Sequence, residues 1–482
     1  MVIFLNVNYI FKAIHAALPC LFISRYLRFM PQNSFPVSKQ VIYAFGMMGW
    51  SIMINLISVI LVYLYAPPTG SGLPLLISQA VIFGIFNLIS LITVSGRLAD
   101  AVWDPFVAQI SDRSTNKKGR RIPIMKKAIL PSFIFCCLIF YPLHHTAGTA
   151  NAAWLAFTLA AFYISSTAFI IPYNALLPEL APGSKEKVRL STWQSVGYVF
   201  GIGIASNALN IANEMQRHGI APDRLTSLQY TVILLSGLAS ICMALTAFLI
   251  DEMKFSVSLP STVPLRIALR HTLTNKNFLL FIVADVSYFI GVTIISSGLL
   301  YFVTVLLKLP ETIGNKLMIT MILVSFLFYP IVNRLSERIG KKPIVIFSLV
   351  LLSFVFAGIY FLGRPANIDP ELQIYILLIF AAIPVASLNI LPVAILAEII
   401  SKDSRETGSN KEAIYFAVRY FFVKLAQTIG IAVFAMLLIY GKDIGHDLGI
   451  RLNGVLGFVL CLIAAIVFSR FKEIRNAPES KE

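Results

Sequence analysis

Two carboxylates, Asp100 and Asp104, stand four residues apart in apolar sequence, with Arg97 three residues before the first. Residues four apart share one face of an α-helix, so both carboxylates address one site and Arg97 lies within reach of Asp100. Residues 96–121, GRLADAVWDPFVAQISDRSTNKKGRR, pass from apolar sequence into a basic cluster, as the second half of a membrane helix and its following loop would. Counted back from Asp112 at about 1.5 Å per residue, Asp104 lies roughly 12 Å and Asp100 roughly 18 Å inside a hydrocarbon layer about 30 Å thick. Charge at that depth costs on the order of 2.5–3.5 kcal/mol per residue and marks ion or proton pathways, or else a structural Arg97–Asp100 pair. A second carboxylate one turn on adds cost without helping such a lock, which favours cation or proton binding.

Two further charges lie in apolar spans. Lys424 follows Phe421, Phe422 and Val423, and an intramembrane ammonium seeks a carboxylate. Asp285 has four readings: a second proton site, a solute ligand, a partner for Lys424 or Arg419, or a structural salt bridge.

The elements that position these groups follow from composition. The chain has 482 residues, 57% hydrophobic and 13% charged, with a mean hydropathy of +0.80, which implies an all-α polytopic membrane protein. The basic residues behind its net charge of +16 gather mainly in short loops between apolar spans, so positive-inside bias explains it better than nucleic-acid binding. The five cysteines lack metal-ligand spacing, and no nucleophile and base stand at motif spacing. An enzyme, a cofactor and a bound metal are therefore not expected, other than a sodium ion as transported cargo.

Residues 1–38 form an N-terminal extension in which translation is read as beginning at Met30. About twelve spans follow, near 40–65, 76–110, 122–142, 152–178, 190–212, 228–250, 277–306, 314–336, 343–363, 373–399, 412–440 and 451–470. They divide into six-helix halves at 39–250 and 277–470, with a linker at 251–276 and a tail at 471–482. Lysine and arginine gather in the loops after even-numbered spans, which places those loops and both termini in the cytoplasm. Asp112, Arg113, Gly119 and Arg120 after the second span return as Glu337, Arg338, Gly340 and Lys341 after the eighth. ALLPEL at 175–180 likewise returns as AILAEI at 394–399. Parallel halves around a midplane site are what alternating access requires, with the repeated loops as gates.

With these residues in hand, the chain resembles the major facilitator superfamily, and within it the glycoside–pentoside–hexuronide cation symporters, from about residue 39 to 471. The resemblance rests on RLADAVWDP at 97–105, on IPYNALLPE at 171–179 and on Lys424. It implies that Asp100 and Asp104 bind the coupling cation, that Thr167 contributes an oxygen, and that Lys424 links the cation site to the opposite half; Arg97, beside Asp100, is the second coupling candidate. Where the melibiose permease of that family has charged sugar ligands in helices one, four and five, this chain has Ser51, Ile170 and Gln194. Ser51, Asn55, Asn174 and Gln194 remain as hydrogen-bonding solute candidates, with Trp50, Trp193 and Tyr198 for stacking and Asp285 as a further ligand. Trp103 replaces an asparagine of that permease, which removes one oxygen from the cation site and favours a proton over sodium.

The expected function is cation-coupled symport of a sugar or glycoside across a bacterial inner membrane. The competitors are a carrier of an amphiphile such as a lysolipid, since animal lysolipid carriers share the pattern, and a non-transporting receptor or scaffold.

Overall fold

The computed structural model describes residues 35–473 apart from 66, 68–72, 79–80, 83–85, 256–260, 262, 311, 365–366 and 442. The extension through residue 34, with the Met30 start, lies outside the described residues, as does the tail from 474. The first half contains α1 (Val37–Tyr65), α2 (Leu88–Asp112), α3 (Ile122–Ile139), α4 (Thr149–Leu180), α5 (Ser184–Ser206), the short α6 (Ala208–Arg217) and α7 (Arg224–Leu249). Two short helices follow, α8 (Glu252–Phe255) and α9 (Leu265–Thr274). The second half contains α10 (Lys276–Tyr301), α11 (Thr312–Ile339), α12 (Lys341–Phe361), α13 (Pro370–Thr407), α14 (Glu412–Leu437) and α15 (Leu448–Ser469).

In lipid every backbone polar group must be bonded internally, so apolar spans fold as helices. Among the described residues, ten helical segments are both long and apolar enough to cross a membrane. Of the two remaining long helices, α2 is 25 residues long but carries Arg97, Asp100 and Asp104 in its middle, so the groups of functional interest lower its apolarity. The other, α11, is 28 residues long and includes side chains outside the described set.

The second span begins later than its apolar sequence suggests. Helix α2 starts at Leu88 and not near 76. Before it, Val81–Ile82 pairs with Phe86–Asn87 in a two-residue antiparallel ladder. The β-branched pair at 81–82 favours extended backbone, and Pro74 upstream disfavours helix.

Within the first half α1 lies against α5 and α7, and α4 against α2 and α3. Within the second, α15 lies against α10 and α12, and α13 against α11 and α12. The halves meet where α14 lies on α2 and α4, and where α13 lies on α5. Close approach of α1 depends on glycine: a Cβ at Gly197 would fall on the Ala44 carbonyl, and one at Gly49 on the Ala239 carbonyl. Gly197→Val is expected to destabilise the fold by about 1–3 kcal/mol through overpacking. Thermal unfolding in detergent should show the lowered midpoint, and an unchanged midpoint would refute this close packing.

Candidate functional site

Asp100 and Asp104 on α2, Thr167 on α4 and Lys424 on α14 meet in one cluster. Lys424 Nζ lies 2.6 Å from Asp100 Oδ2 and 2.8 Å from Asp104 Oδ2. Thr167 Oγ1 lies 2.6 Å from Asp100 Oδ1 and 3.3 Å from Asp104 Oδ1. A hydroxyl has one hydrogen to donate, and the shorter contact goes to Asp100. Asp104 Oδ1 is thus the least satisfied of the four carboxylate oxygens. Asp104 is 1% and Asp100 7% exposed, whereas the Lys424 side chain keeps 22%. Two carboxylates against one ammonium leave one formal negative charge in a buried place, which a proton or a monovalent cation would discharge. The Arg97 side chain lies outside the described residues. Trp103 is 43% exposed and sits edge-on to Phe106.

Asp285 on α10 engages Arg419 and not Lys424. Arg419 Nε lies 2.8 Å from Asp285 Oδ2 and Nη2 lies 3.3 Å from Oδ1. The guanidinium sits 5.7 Å from the Phe281 ring centre and 6.0 Å from that of Phe289. This fork holds α14 to its own half, while Lys424, five residues on, reaches the other.

The solute candidates fall into two groups. Trp50 donates Nε1–H to Ser166 Oγ at 2.8 Å, Ser51 donates to the Tyr198 carbonyl at 2.7 Å, and Asn55 donates to the Ser51 carbonyl at 2.8 Å. Those bonds stay within the first half. In the second group Gln194 Nε2 donates to Asn174 Oδ1 at 2.5 Å, and Asn174 Nδ2 donates across the halves to the Tyr420 hydroxyl at 3.1 Å. Gln194 Oε1 is buried without a hydrogen-bond partner. Trp193, beside Gln194, is half-buried.

The repeated loops lie at one end of the bundle, where the halves are joined by charge. Arg120 and Arg121 both pair with Glu179 of α4, at 2.8 and 2.9 Å, and with Glu412 of α14, at 3.2 and 3.0 Å. Asp112 pairs with Arg121 at 2.7 Å and accepts the backbone N–H groups of Ala413 and Ile414, each at 3.2 Å, at the start of α14. A carboxylate at a helix N-terminus is favoured by both the free donors and the dipole. In the other half Lys341 pairs with Glu398 at 2.7 Å and donates across to Ser184 at 2.6 Å. Glu337 meets Lys185 in an exposed pair at 3.2 Å, and Arg113 and Arg338 point to solvent.

The two loops share a backbone device. Gly119 and Gly340 take φ of +110° and +91°, a region that favours glycine. The helix beginning after each glycine is capped by a carboxylate from beyond the last span of its half. Glu252 accepts the N–H groups of Arg120, Arg121 and Ile122 at 2.6, 2.9 and 2.9 Å, and Glu473 accepts that of Lys341 at 2.5 Å. Burial first, then Glu179, pushes the Glu252 carboxyl above its ordinary value, against the pull of those backbone donors. A carboxyl raised on folding holds its proton more tightly in the folded chain. Its stabilising contribution is complete below the unfolded value of about 4.3 and is lost as pH rises through the folded value. Glu252→Gln is therefore expected to flatten that fall in a plot of unfolding midpoint against pH. A slope identical to the wild type would contradict this account of Glu252.

Sequence reasoning did not single out Arg121, Glu179, Glu412, Glu252 or Tyr420. Arg121 and Glu179 lie within quoted motifs, and nothing in those motifs marks Arg121, buried at 0% exposed, as the partner of Asp112, Glu179 and Glu412. A carboxylate opening an apolar span was the available signal for Glu412. Tyr420 stands one helical turn before Lys424, and that spacing was its only mark.

The fold has counterparts among known proteins. Residues 42–471 match the family described as MFS/sugar transport protein. The isoprimeverose transporter of Lactiplantibacillus pentosus is 21% identical over 417 residues, 86% of this chain and 82% of that protein. A sodium-dependent lysophosphatidylcholine symporter of Danio rerio is 20% identical over 393 residues, 75% of this chain and 72% of that protein. The crystal structure of the Escherichia coli fucose:proton symporter superposes with a TM-score of 0.64 at 11% identity, covering 92% of this chain and 100% of that one. The chain belongs to the MFS/sugar transport protein family, a family of membrane transporters and not of enzymes.

Proposed function

We propose that this protein is a secondary active transporter of a bacterial inner membrane that carries a sugar or glycoside together with a proton. The observation that carries the reading is the buried cluster of Asp100, Asp104, Thr167 and Lys424, which joins the halves and holds one excess negative charge. Positive-inside bias assigns the Arg120 end, and both termini, to the cytoplasm. The ion pairs there then hold the cytoplasmic gate shut, and the solute enters from the opposite side.

In this mechanism Asp100, Asp104 and Thr167 bind the cation, and Lys424 conveys its presence to the second half. Arg97 assists from the same helix. The solute is bound by Asn174, Gln194 and Trp193, together with Ser51 and Asn55, and Asp285 keeps Arg419 in place. Proton uptake discharges the cluster, so that burying it as the halves rock costs less. The loaded carrier can then cross between its two states, whereas the carrier with solute alone is held back, which is coupling expressed as a difference in state stability.

Sodium is the second reading for the cation. The outward-turned Trp103 supplies no oxygen, leaving the two carboxylates and one hydroxyl, and sodium seeks more oxygen ligands than these. The lysolipid relative supports an amphiphile as the second reading for the solute. Thermal unfolding with saccharides, uronides and lysolipids, with and without sodium and at two pH values, tests these readings, because a ligand of the folded state raises the midpoint. A saccharide shift strengthened by acid supports proton–sugar symport. One strengthened by sodium at fixed pH overturns the proton, and a shift with lysolipid alone overturns the sugar.

A further inference from the structure

Helices α4 and α14 are joined by two rungs of different kinds. Thr167 and Asn174 stand seven residues apart on α4, and Lys424 and Tyr420 four apart on α14, spacings that keep each pair on one helix face. The charged rung is the Thr167, Asp100, Asp104 and Lys424 cluster. The neutral rung is the 3.1 Å bond from Asn174 Nδ2 to the Tyr420 hydroxyl. Gln194 fixes the Asn174 amide by donating to Oδ1, and its own Oε1 is buried without a hydrogen-bond partner. Beside Tyr420, Arg419 is locked to Asp285, so the Arg419 turn of α14 is fixed to its own half.

We propose that Tyr420 is the positioning residue through which the solute site acts on the cation site, an inference that rests on the symport reading above. A buried acceptor without a donor is costly, and a hydroxyl of a sugar or glycoside donating to Gln194 Oε1 satisfies it. Gln194 and Asn174 are then held in the geometry that keeps Asn174 Nδ2 on Tyr420. The rung tightens, and one turn along the same helix Lys424 is set against Asp100 and Asp104 in the arrangement that accepts the cation. By linkage, the factor by which solute tightens cation binding equals that by which the cation tightens solute binding.

The test measures that factor in reconstituted wild-type and Tyr420→Phe protein. The probes are isoprimeverose and lysophosphatidylcholine, each titrated with and without sodium and at two pH values. In the wild type the factor is expected to be at least about fivefold. In Tyr420→Phe each ligand alone still binds, while the factor falls below about twofold. A structural role lowers the unfolding midpoint without touching the factor, so a lowered midpoint with a wild-type factor overturns the inference. Should the phenylalanine protein fail to fold, Tyr420→Met is read in the same way. A wild-type factor of one with every probe and cation overturns the symport reading itself, whereas a wild-type factor that survives the substitution overturns only the role of Tyr420.

Discussion

Asp104→Asn is expected to bring the accumulation ratio of solute in proteoliposomes down to unity while solute exchange continues. The substitution leaves Asp100 facing Lys424, a neutral cluster that imitates the cation-loaded state permanently. The halves then rock without a cation, so solute equilibrates but is not driven. Asp104 is the informative carboxylate because it is 1% exposed and its Oδ1 takes only the weaker, 3.3 Å share of the Thr167 hydroxyl. Removing the excess charge should leave stability unchanged or raised, since a buried charge without full compensation is costly. Uphill accumulation at the wild-type level would remove Asp104 from the coupling mechanism.

The second large effect is expected at Lys424. Lys424→Met breaks both ion pairs at once, at 2.6 and 2.8 Å, and strands two buried carboxylates. Removing one partner of a buried pair costs about 3–5 kcal/mol, and here the loss also cuts the charged tie between the halves. The unfolding midpoint should fall markedly and accumulation should be lost. Adding Asp104→Asn should recover part of the stability, because one stranded charge is then gone, and a double-mutant cycle measures that coupling. Strictly additive losses would show that Lys424 and Asp104 do not act as a pair.

These two residues also show what the sequence makes legible. The i, i+4 spacing of Asp100 and Asp104 places them on one face, and their depth follows from counting back to the loop. Lys424 lies 320 residues from Asp104, so no local pattern could pair them. The cost of an intramembrane ammonium required an acid, and the family resemblance indicated which. Asp285 could not be assigned in that way, because Arg419 and Lys424 offered two cations five residues apart on one helix. Five residues turn a helix by about 140°, so the two cations point toward different halves, and only the packing decides which meets Asp285. The same limit applies to Tyr420, whose partner Asn174 is 246 residues away. It applies again to Glu412, which reads as an ordinary first-turn acid until α14 lies against the Arg120 loop. The late start of α2 was hidden because residues 76–87 are apolar enough to pass for membrane helix, while their β-branched pair folds into a short ladder.

The most direct test of the central claim is solute uptake into proteoliposomes under an imposed gradient of one ion at a time, with the solute at equal concentration on both sides. A pH gradient, with the interior alkaline, is expected to drive saccharide above the external concentration. Accumulation should collapse on adding a protonophore, and a sodium gradient at uniform pH should drive none. No net uptake, under either gradient and for any solute bound, would contradict the account of Asp100 and Asp104 as the seat of cation-coupled transport.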